Sequence, residues 1–218
     1  MEILNHYINR LFFTITITSI AIISNAQIIN SDSDYKEANE AIEIIKERGL
    51  IVKLYTQSSS IKALKERAEK HPHLAEDSKK KLDKIIKQRN WENQQIIQAF
   101  KLFYSYSDVY FIPDFKYEDF RNGVTENIFW DASLTFDNSV EVESADQIVM
   151  AREFSNRYDW KICNSDLQLI PNPFPNYYAL QPVVVQFLTQ LFTPNRESST
   201  KHFQGLVQKI QRKFEGYY

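Results

Sequence analysis

A run of three serines stands where a predicted strand meets a predicted helix. Ser58, Ser59 and Ser60 follow the apolar, β-branched residues 50–56. At such a junction the backbone amides and the positive end of the helix dipole can bind an anion, and Lys62 lies one turn farther on. Serine is also a preferred helix cap. The pattern therefore predicts either an anion-binding turn or a simple N-cap.

Three aromatic residues lie in and just after a stiff, proline-rich segment. Residues 171–175 contain three prolines, and Phe174, Tyr177 and Tyr178 stand within or behind them. Large, rigid rings on such a loop can bind sugar rings or a partner surface because they lose little conformational entropy on binding. The same rings can fold back and cover the edge of the core. With the serine run, they are the predicted ligand- or partner-binding residues.

Acidic residues cluster near the ends of predicted strands. Asp108, Asp114, Glu118, Asp119 and Asp131 fall within a short stretch of the chain. Paired carboxylates could perform acid–base catalysis or hold a divalent ion. The alternative is a set of solvated acids at turns, because the sequence does not show which carboxylates converge.

The histidines and the single cysteine do not indicate a metal site. His71 and His73 flank Pro72, which places them in a loop rather than on one helix face, so a polar interhelical turn is the favoured interpretation. Cys163 alone excludes an internal disulfide and a zinc site built on cysteine pairs, and we expect it to be buried in a strand. Only four glycines are present, and the P-loop, Rossmann, G-x-S-x-G and H-E-x-x-H motifs are absent. We therefore expect no metal and no organic cofactor.

Charge is distributed unevenly along a chain whose net charge is only −2. Residues 61–89 contain ten Lys or Arg against five Asp or Glu, whereas residues 107–159 contain four against twelve. This pattern predicts a basic helical face near an acidic face of the sheet, or else two solvated charge runs. The interleaved acids and the small net charge argue against nucleic acid or anionic lipid as a partner, and we expect no nucleic-acid binding.

The first 26 residues have the order of parts found in a secretory signal. Arg10 and the α-amino group are positive, residues 11–23 are apolar, and the small residues Ser24 and Ala26 precede a cut before Gln27. The apolar stretch is shorter than the roughly 20 residues that span a bilayer. We expect a cleaved signal peptide and no membrane span afterwards. An uncleaved anchor and an N-terminal strand are the alternatives.

Hydrophobic periodicity after this segment predicts one α+β domain over residues 27–218, a mixed β-sheet with helices packed on it. Apolar residues at helical spacing predict helices over residues 31–49, 58–71, 75–104 and 199–214. Short apolar runs predict strands over residues 50–56, 108–112, 147–154 and 160–163. The first strands predict a parallel βαβ crossover, and the short runs 128–130, 134–136 and 167–170 predict an antiparallel meander. Residues 183–192 fit either a strand or a helix. A thioredoxin-like core is the alternative, without the Cys-x-x-Cys motif.

The third helix carries one irregularity. Its apolar stripe is interrupted over residues 89–95, which are polar apart from Trp91. This gap predicts a helix face that lies either in solvent or against polar atoms.

These observations predict an exported protein, periplasmic or secreted, that binds an envelope or extracellular ligand or partner without catalysis. The high content of Ile, Asn and Lys is typical of an AT-rich bacterial genome. The alternative function is a hydrolase that uses Asp108, Asp114 and Asp131 at strand ends.

Overall fold

The computed structural model describes residues 31–152, 159–179 and 196–217. The predicted signal peptide and residues 183–192 lie outside these ranges. The helices of the described residues are α1 (Asp32–Arg48), α2 (Ser58–Lys70), α3 (Ala75–Phe103), α4 (Tyr117–Arg121) and α5 (Arg196–Glu215). The strands are β1 (Leu50–Leu54), β2 (Val109–Pro113), β3 (Ile148–Arg152), β4 (Asp159–Cys163) and β5 (Tyr177–Ala179).

The strands form one mixed sheet in the order β2-β1-β3-β4-β5. The central strand β1 pairs in parallel with β2 on one side and with β3 on the other, whereas β3–β4 and β4–β5 are antiparallel. The predicted α+β fold and the parallel crossover from β1 to β2 are therefore confirmed. A thioredoxin-like core has an antiparallel strand in the position that β3 occupies, so this sheet has a different topology.

Two apolar layers cover the two faces of the sheet. Helices α1, α3 and α5 pack on one face, where their buried side chains meet Leu50, Val52 and Trp160. Helix α4 covers the other face together with Ile128, Phe129 and Val142, and these side chains meet Ile51 and Val149. Successive residues of a strand point to opposite faces, so each strand contributes to both layers.

Helix α1 shows how periodicity and a glycine place the central strand. Ala38, Ala41, Ile42 and Ile45 recur at helical spacing and are buried. Gly49 then adopts a φ of +85° and reverses the chain into β1. Glycine has no Cβ and takes this left-handed conformation at little cost, which is why a helix commonly ends at one.

Helix α2 differs from the others because it buries none of its side chains fully. It packs on the N-terminal half of α3, and the short 3₁₀ turn Pro72–Leu74 joins the two helices. His71 and His73 are exposed at this turn, which confirms the predicted polar turn between the two helices. Over residues 31–152, 159–179 and 196–217, no helix has both the length and the hydropathy needed to cross a membrane.

The predicted serine cap is wrong in detail. Helix α2 already begins at Ser58, and the capping position is taken by Gln57, which has a φ of 57° and makes no capping hydrogen bond through its side chain. Ser58, Ser59 and Ser60 therefore occupy the exposed first turn of the helix.

The predicted antiparallel meander is confirmed only in part. Strands β3, β4 and β5 are antiparallel neighbours, although β5 falls just after the segment that was predicted to be irregular. The runs predicted at residues 128–136 and 167–170 form no strands and contribute only the isolated bridges Trp130–Phe136 and Cys163–Leu169.

Two turns of the same geometry explain these isolated bridges. The Asp131 carboxylate accepts hydrogen bonds from the backbone N–H groups two and four residues later, and the Asn164 side-chain oxygen does the same in the second turn. In both turns a leucine three residues after the Asx residue has a φ of 61°, Leu134 in the first and Leu167 in the second. Each tight turn is closed by a single isolated bridge, and no longer ladder forms beside it.

Candidate functional site

A cleft with a volume of about 650 Å³ lies at the carboxyl ends of β1 and β3. Small-molecule sites commonly have volumes of roughly 300–1,000 Å³. From β1 the chain crosses to β2 on one side and later returns to β3 on the other, so the two strands flank the point where the strand order reverses. In open sheets with parallel strands, ligands bind in the crevice at that point.

The floor of the cleft is built by the sheet face that carries Ile51 and Val149. Ala151 pairs with Lys161 across β3 and β4, and the register of β1 with β3 brings Lys53 to the level of Ala151. All three residues line the cleft. The two lysines therefore flank the small Ala151 side chain on one face of the sheet.

One wall is formed by a buried ion cluster that links α3 to β3. The Glu92 carboxylate lies 3.2 Å from the Arg89 guanidinium and 3.5 Å from that of Arg152. The Arg89 guanidinium stacks 4.6 Å from the ring centre of Tyr55, and that of Arg152 stacks 5.0 Å from Trp160. The side chains of Arg89 and Arg152 are only 6% and 10% exposed. The cluster is thus a rigid wall rather than a pair of mobile surface charges.

The opposite wall begins where β2 ends. The Thr56 hydroxyl donates a hydrogen bond to the Asp114 carboxylate, which follows β2. The Lys53 ammonium lies 4.5 Å from the ring centre of Tyr117. Burial lowers the pKa of Lys53, and the negative charges of Asp114 and Glu118 partly oppose that effect. The lowered pKa reflects the cost of keeping a charged amine in a half-buried place.

Cations outnumber carboxylates among the residues that line the cleft. The cations are Lys53, Arg89, Arg152 and Lys161, and the carboxylates are Glu92 and Asp114. With Lys and Arg charged, the lining residues that the structure describes carry two more positive than negative charges. A concave site of this kind focuses positive potential and attracts anions.

Cys163 lines the same cleft and is buried in β4, which confirms the expectation for this residue. Burial raises the pKa of its thiol, and the nearby Lys161 and Lys53 ammonium groups lower it by a smaller amount. The thiolate is the nucleophilic form of cysteine, so the raised pKa argues against a nucleophilic role.

The structure separates the binding residues that the sequence predicts. Phe174 and Tyr178 are about 1% exposed and belong to the helix-side core, so their rings cover the core instead of presenting a surface. Tyr177 is 48% exposed, and its hydroxyl donates a hydrogen bond to Asp159. Ser60 lines the cleft. An exposed three-ring patch therefore does not exist here, because two of its three rings are buried.

The three acids of the alternative hydrolase do not converge. Asp108 precedes β2 and Asp114 follows it, which separates them by about 20 Å at ~3.3 Å per residue. Backbone hydrogen bonds within its own turn, that of Thr135 first, hold the pKa of Asp131 below its usual value. In the described part of the chain, no group of three or more His, Cys, Asp or Glu side chains is arranged to hold a metal ion.

The basic segment 61–89 and the acidic segment 107–159 each contain ion pairs between residues that are close in the sequence. Lys80 pairs with Glu76 at 2.9 Å, and Lys116 pairs with Asp119 at 2.8 Å, each within one helical turn. Such exposed or half-exposed pairs contribute little to stability. The predicted attraction between a basic helical face and an acidic sheet face stays a prediction.

Sequence reasoning missed the four cations of the cleft, although one signal was present. The polar interruption over residues 89–95 of α3 lies against polar atoms, as one of its two interpretations states. Asn93 is buried there and donates a hydrogen bond of 3.3 Å to the Tyr55 carbonyl, while Arg89 and Glu92 form the wall. The contributions of Lys53 and Lys161 depend on strand register, which the sequence alone does not give.

Comparison with protein families, curated proteins and solved structures finds no match for this chain. The function is therefore inferred from the geometry and charge of the cleft.

Proposed function

We propose that this chain is an exported protein that binds a small anionic ligand, without catalysis, in the cleft between β1 and β3. One observation carries the proposal: four cations and two carboxylates line a concave site at the point where the strand order reverses. Position, size and charge all favour the same class of ligand.

Binding is favoured over the alternative hydrolase because both carboxylates that line the cleft already interact with neighbouring side chains. Glu92 is already shared by two arginines, and Asp114 accepts a hydrogen bond from Thr56. Of the three acids considered for catalysis, only Asp114 lines the cleft. A general acid–base pair requires two groups that reach the same substrate, and neither Asp108 nor Asp131 lines the cleft beside Asp114.

Anion binding is tested by titration calorimetry of residues 27–218 with phosphate, sulfate, citrate and malonate at low salt. We expect at least one anion to bind, and 0.5 M NaCl to weaken it because salt screens the attraction. Lys53→Met should weaken binding by about 10-fold or more, since a hydrogen bond to a charged group contributes roughly 1.5–3 kcal/mol.

Lys65→Met is the matched control, because Lys65 is exposed on α2 and does not line the cleft. It should leave the affinity unchanged. The proposed function is contradicted if none of these anions binds, or if Lys53→Met and Lys65→Met have equal effects.

Export is tested separately by intact-mass measurement of the protein isolated from its native host. The order of charged, apolar and small residues over positions 1–26 predicts a mature chain that begins at Gln27. A product that retains residues 1–26 inside the cell would contradict export and leave the ligand proposal standing.

A further inference from the structure

Lys53 differs from the other cations that line the cleft. Arg89, Arg152 and Lys161 each interact with neighbouring groups, and the two arginines share the Glu92 carboxylate. Among the residues that the structure describes, no carboxylate forms an ion pair with the Lys53 ammonium. Lys53 is therefore the cation of this lining that is not committed to an anionic partner within the protein.

Apolar groups surround part of the Lys53 side chain. Its ammonium lies 4.5 Å from the ring centre of Tyr117, a residue that is only 1% exposed. The Tyr117 hydroxyl donates a hydrogen bond of 2.7 Å to the Ser165 carbonyl, which fixes the ring in place. Ala151 lies beside Lys53 at the same level of the sheet, and Leu167 packs on the same sheet face. These groups keep water away from one side of the amine, while its other side faces the cleft.

This environment favours the uncharged amine. Burial is the largest cause of the lowered pKa of Lys53. Asp114, Glu118 and Cys163 oppose that effect without cancelling it. Arg121 adds to it, and this arginine also pairs with Glu118 at 3.4 Å. At neutral pH, more of the Lys53 amine is therefore unprotonated than in a lysine that is surrounded by water.

An unprotonated lysine amine is a nucleophile for carbonyl groups, and lysines that form imines are commonly desolvated in this way. The nitrogen lone pair of Lys53 forms a C–N bond with the carbonyl carbon, and a proton moves from the nitrogen to the oxygen. The resulting hydroxyl group leaves with a second nitrogen proton as water, and a C=N bond remains. One water molecule is released for each imine, and no atom is oxidised or reduced.

We propose that the ligand of the cleft is a small 2-oxo acid, which Lys53 holds as a reversible imine. The keto or aldehyde group of the acid reacts with the amine, and its carboxylate is the negative charge that the proposed function requires. The inference rests on the proposed function for the charge of the ligand and goes beyond it by adding a covalent bond to one residue.

Reductive trapping tests the inference directly. The purified protein is incubated at about pH 7 with glyoxylate, pyruvate or 2-oxoglutarate and sodium cyanoborohydride, which reduces an imine to a stable secondary amine. Peptide mass mapping then locates the adduct. We expect at least one acid to label Lys53 about 10-fold or more above Lys65, an exposed lysine of α2 in the same sample. The preference should shrink toward pH 10, where exposed lysines also lose their proton.

Two controls separate the cleft from general lysine reactivity. Unfolding the protein in urea should abolish the preference for Lys53, because the preference depends on the folded surroundings. Lys53→Arg keeps a positive charge but has no amine that forms an imine, so it should lose the cleft adduct and retain the weak labelling of Lys65. Lys65→Arg should leave the labelling of Lys53 unchanged.

The outcomes distinguish this inference from the proposed function. If Lys53 is labelled no more than Lys65 by all three acids, the imine inference is wrong. Lys53-dependent binding of citrate, malonate, phosphate or sulfate in calorimetry would then leave the anion-binding function standing. If the neutral ketone hydroxyacetone labels Lys53 as strongly as pyruvate does, the assignment of the ligand as an acid is wrong.

Discussion

A Gly49→Ala variant is expected to unfold with a free energy about 3 kcal/mol lower than that of the unmodified protein. The left-handed conformation costs a residue with a Cβ roughly 1–2 kcal/mol. The added methyl would also lie 2.8 Å from the Asp108 carbonyl oxygen and 2.7 Å from the Tyr110 ring. The same carbonyl accepts the Leu50 amide at 2.9 Å, so moving it disturbs the first pairing of β1 with β2.

Substitutions at two other glycines separate the two causes of this loss, the left-handed backbone conformation and the steric contact of the added methyl group. Gly123 has a φ of +84° with nothing near its Cβ position, so Gly123→Ala should cost only the conformational part, about 1 kcal/mol. Gly205 lies on the exposed face of α5 with open space around it, so Gly205→Ala should stabilise by roughly 0.5–1 kcal/mol. Urea unfolding of all three variants gives the comparison. Equal losses for Gly49→Ala and Gly123→Ala would show that the backbone contact at Asp108 contributes nothing.

Glu92→Ala is expected to lower the free energy of unfolding by about 3 kcal/mol, because two buried guanidinium groups lose the carboxylate that they share. Removing one member of a buried ion cluster costs more than the cluster contributes as a whole, since the remaining charges stay desolvated. Glu92→Gln keeps an oxygen acceptor and should lose less.

Glu76→Ala is the matched control for this substitution. Glu76 also pairs within α3, with Lys80 at 2.9 Å, but its side chain is 81% exposed. Its loss should change the free energy of unfolding by no more than about 0.5 kcal/mol. Chemical denaturation that gives the two alanine variants the same stability would show that the wall cluster is not held together by Glu92.

The sequence predicts the helices and inner strands of this fold well, because periodicity reports which side chains are buried. The stripe of Ala38, Ala41 and Ile42 fixes α1, and the apolar run of β1 indicates a strand covered on both faces. The predictions that were wrong concern a helix start and two turns. A left-handed Gln57 replaces the serine cap, and the turns at Leu134 and Leu167 convert predicted strands into single bridges. Asp131 and Asn164 are residue types that favour turns, but leucine at the left-handed position gives no signal, so the tightness of the two turns could not be predicted from the sequence.

The candidate site was less predictable than the fold. Lys53, Ala151 and Lys161 come from three different strands, and only the register of those strands brings them together. Shifting the register of one strand by a single residue would turn its side chain to the opposite face. The aromatic residues near 174–178 were predicted to be candidates because of their type, yet burial decides their role, and Phe174 and Tyr178 lie in the core.

Strand β1 lies between β2 and β3, so its first residue, Leu50, pairs with Val109 on one side and with Ile148 on the other. Both partners are synthesised long after β1, and contacts between residues far apart in the chain close slowly. A nascent chain that has reached only β2 still exposes one edge of its central strand. The sheet can therefore close around its central strand only after β3 has been synthesised, so the order of the strands in the sheet sets when folding can finish.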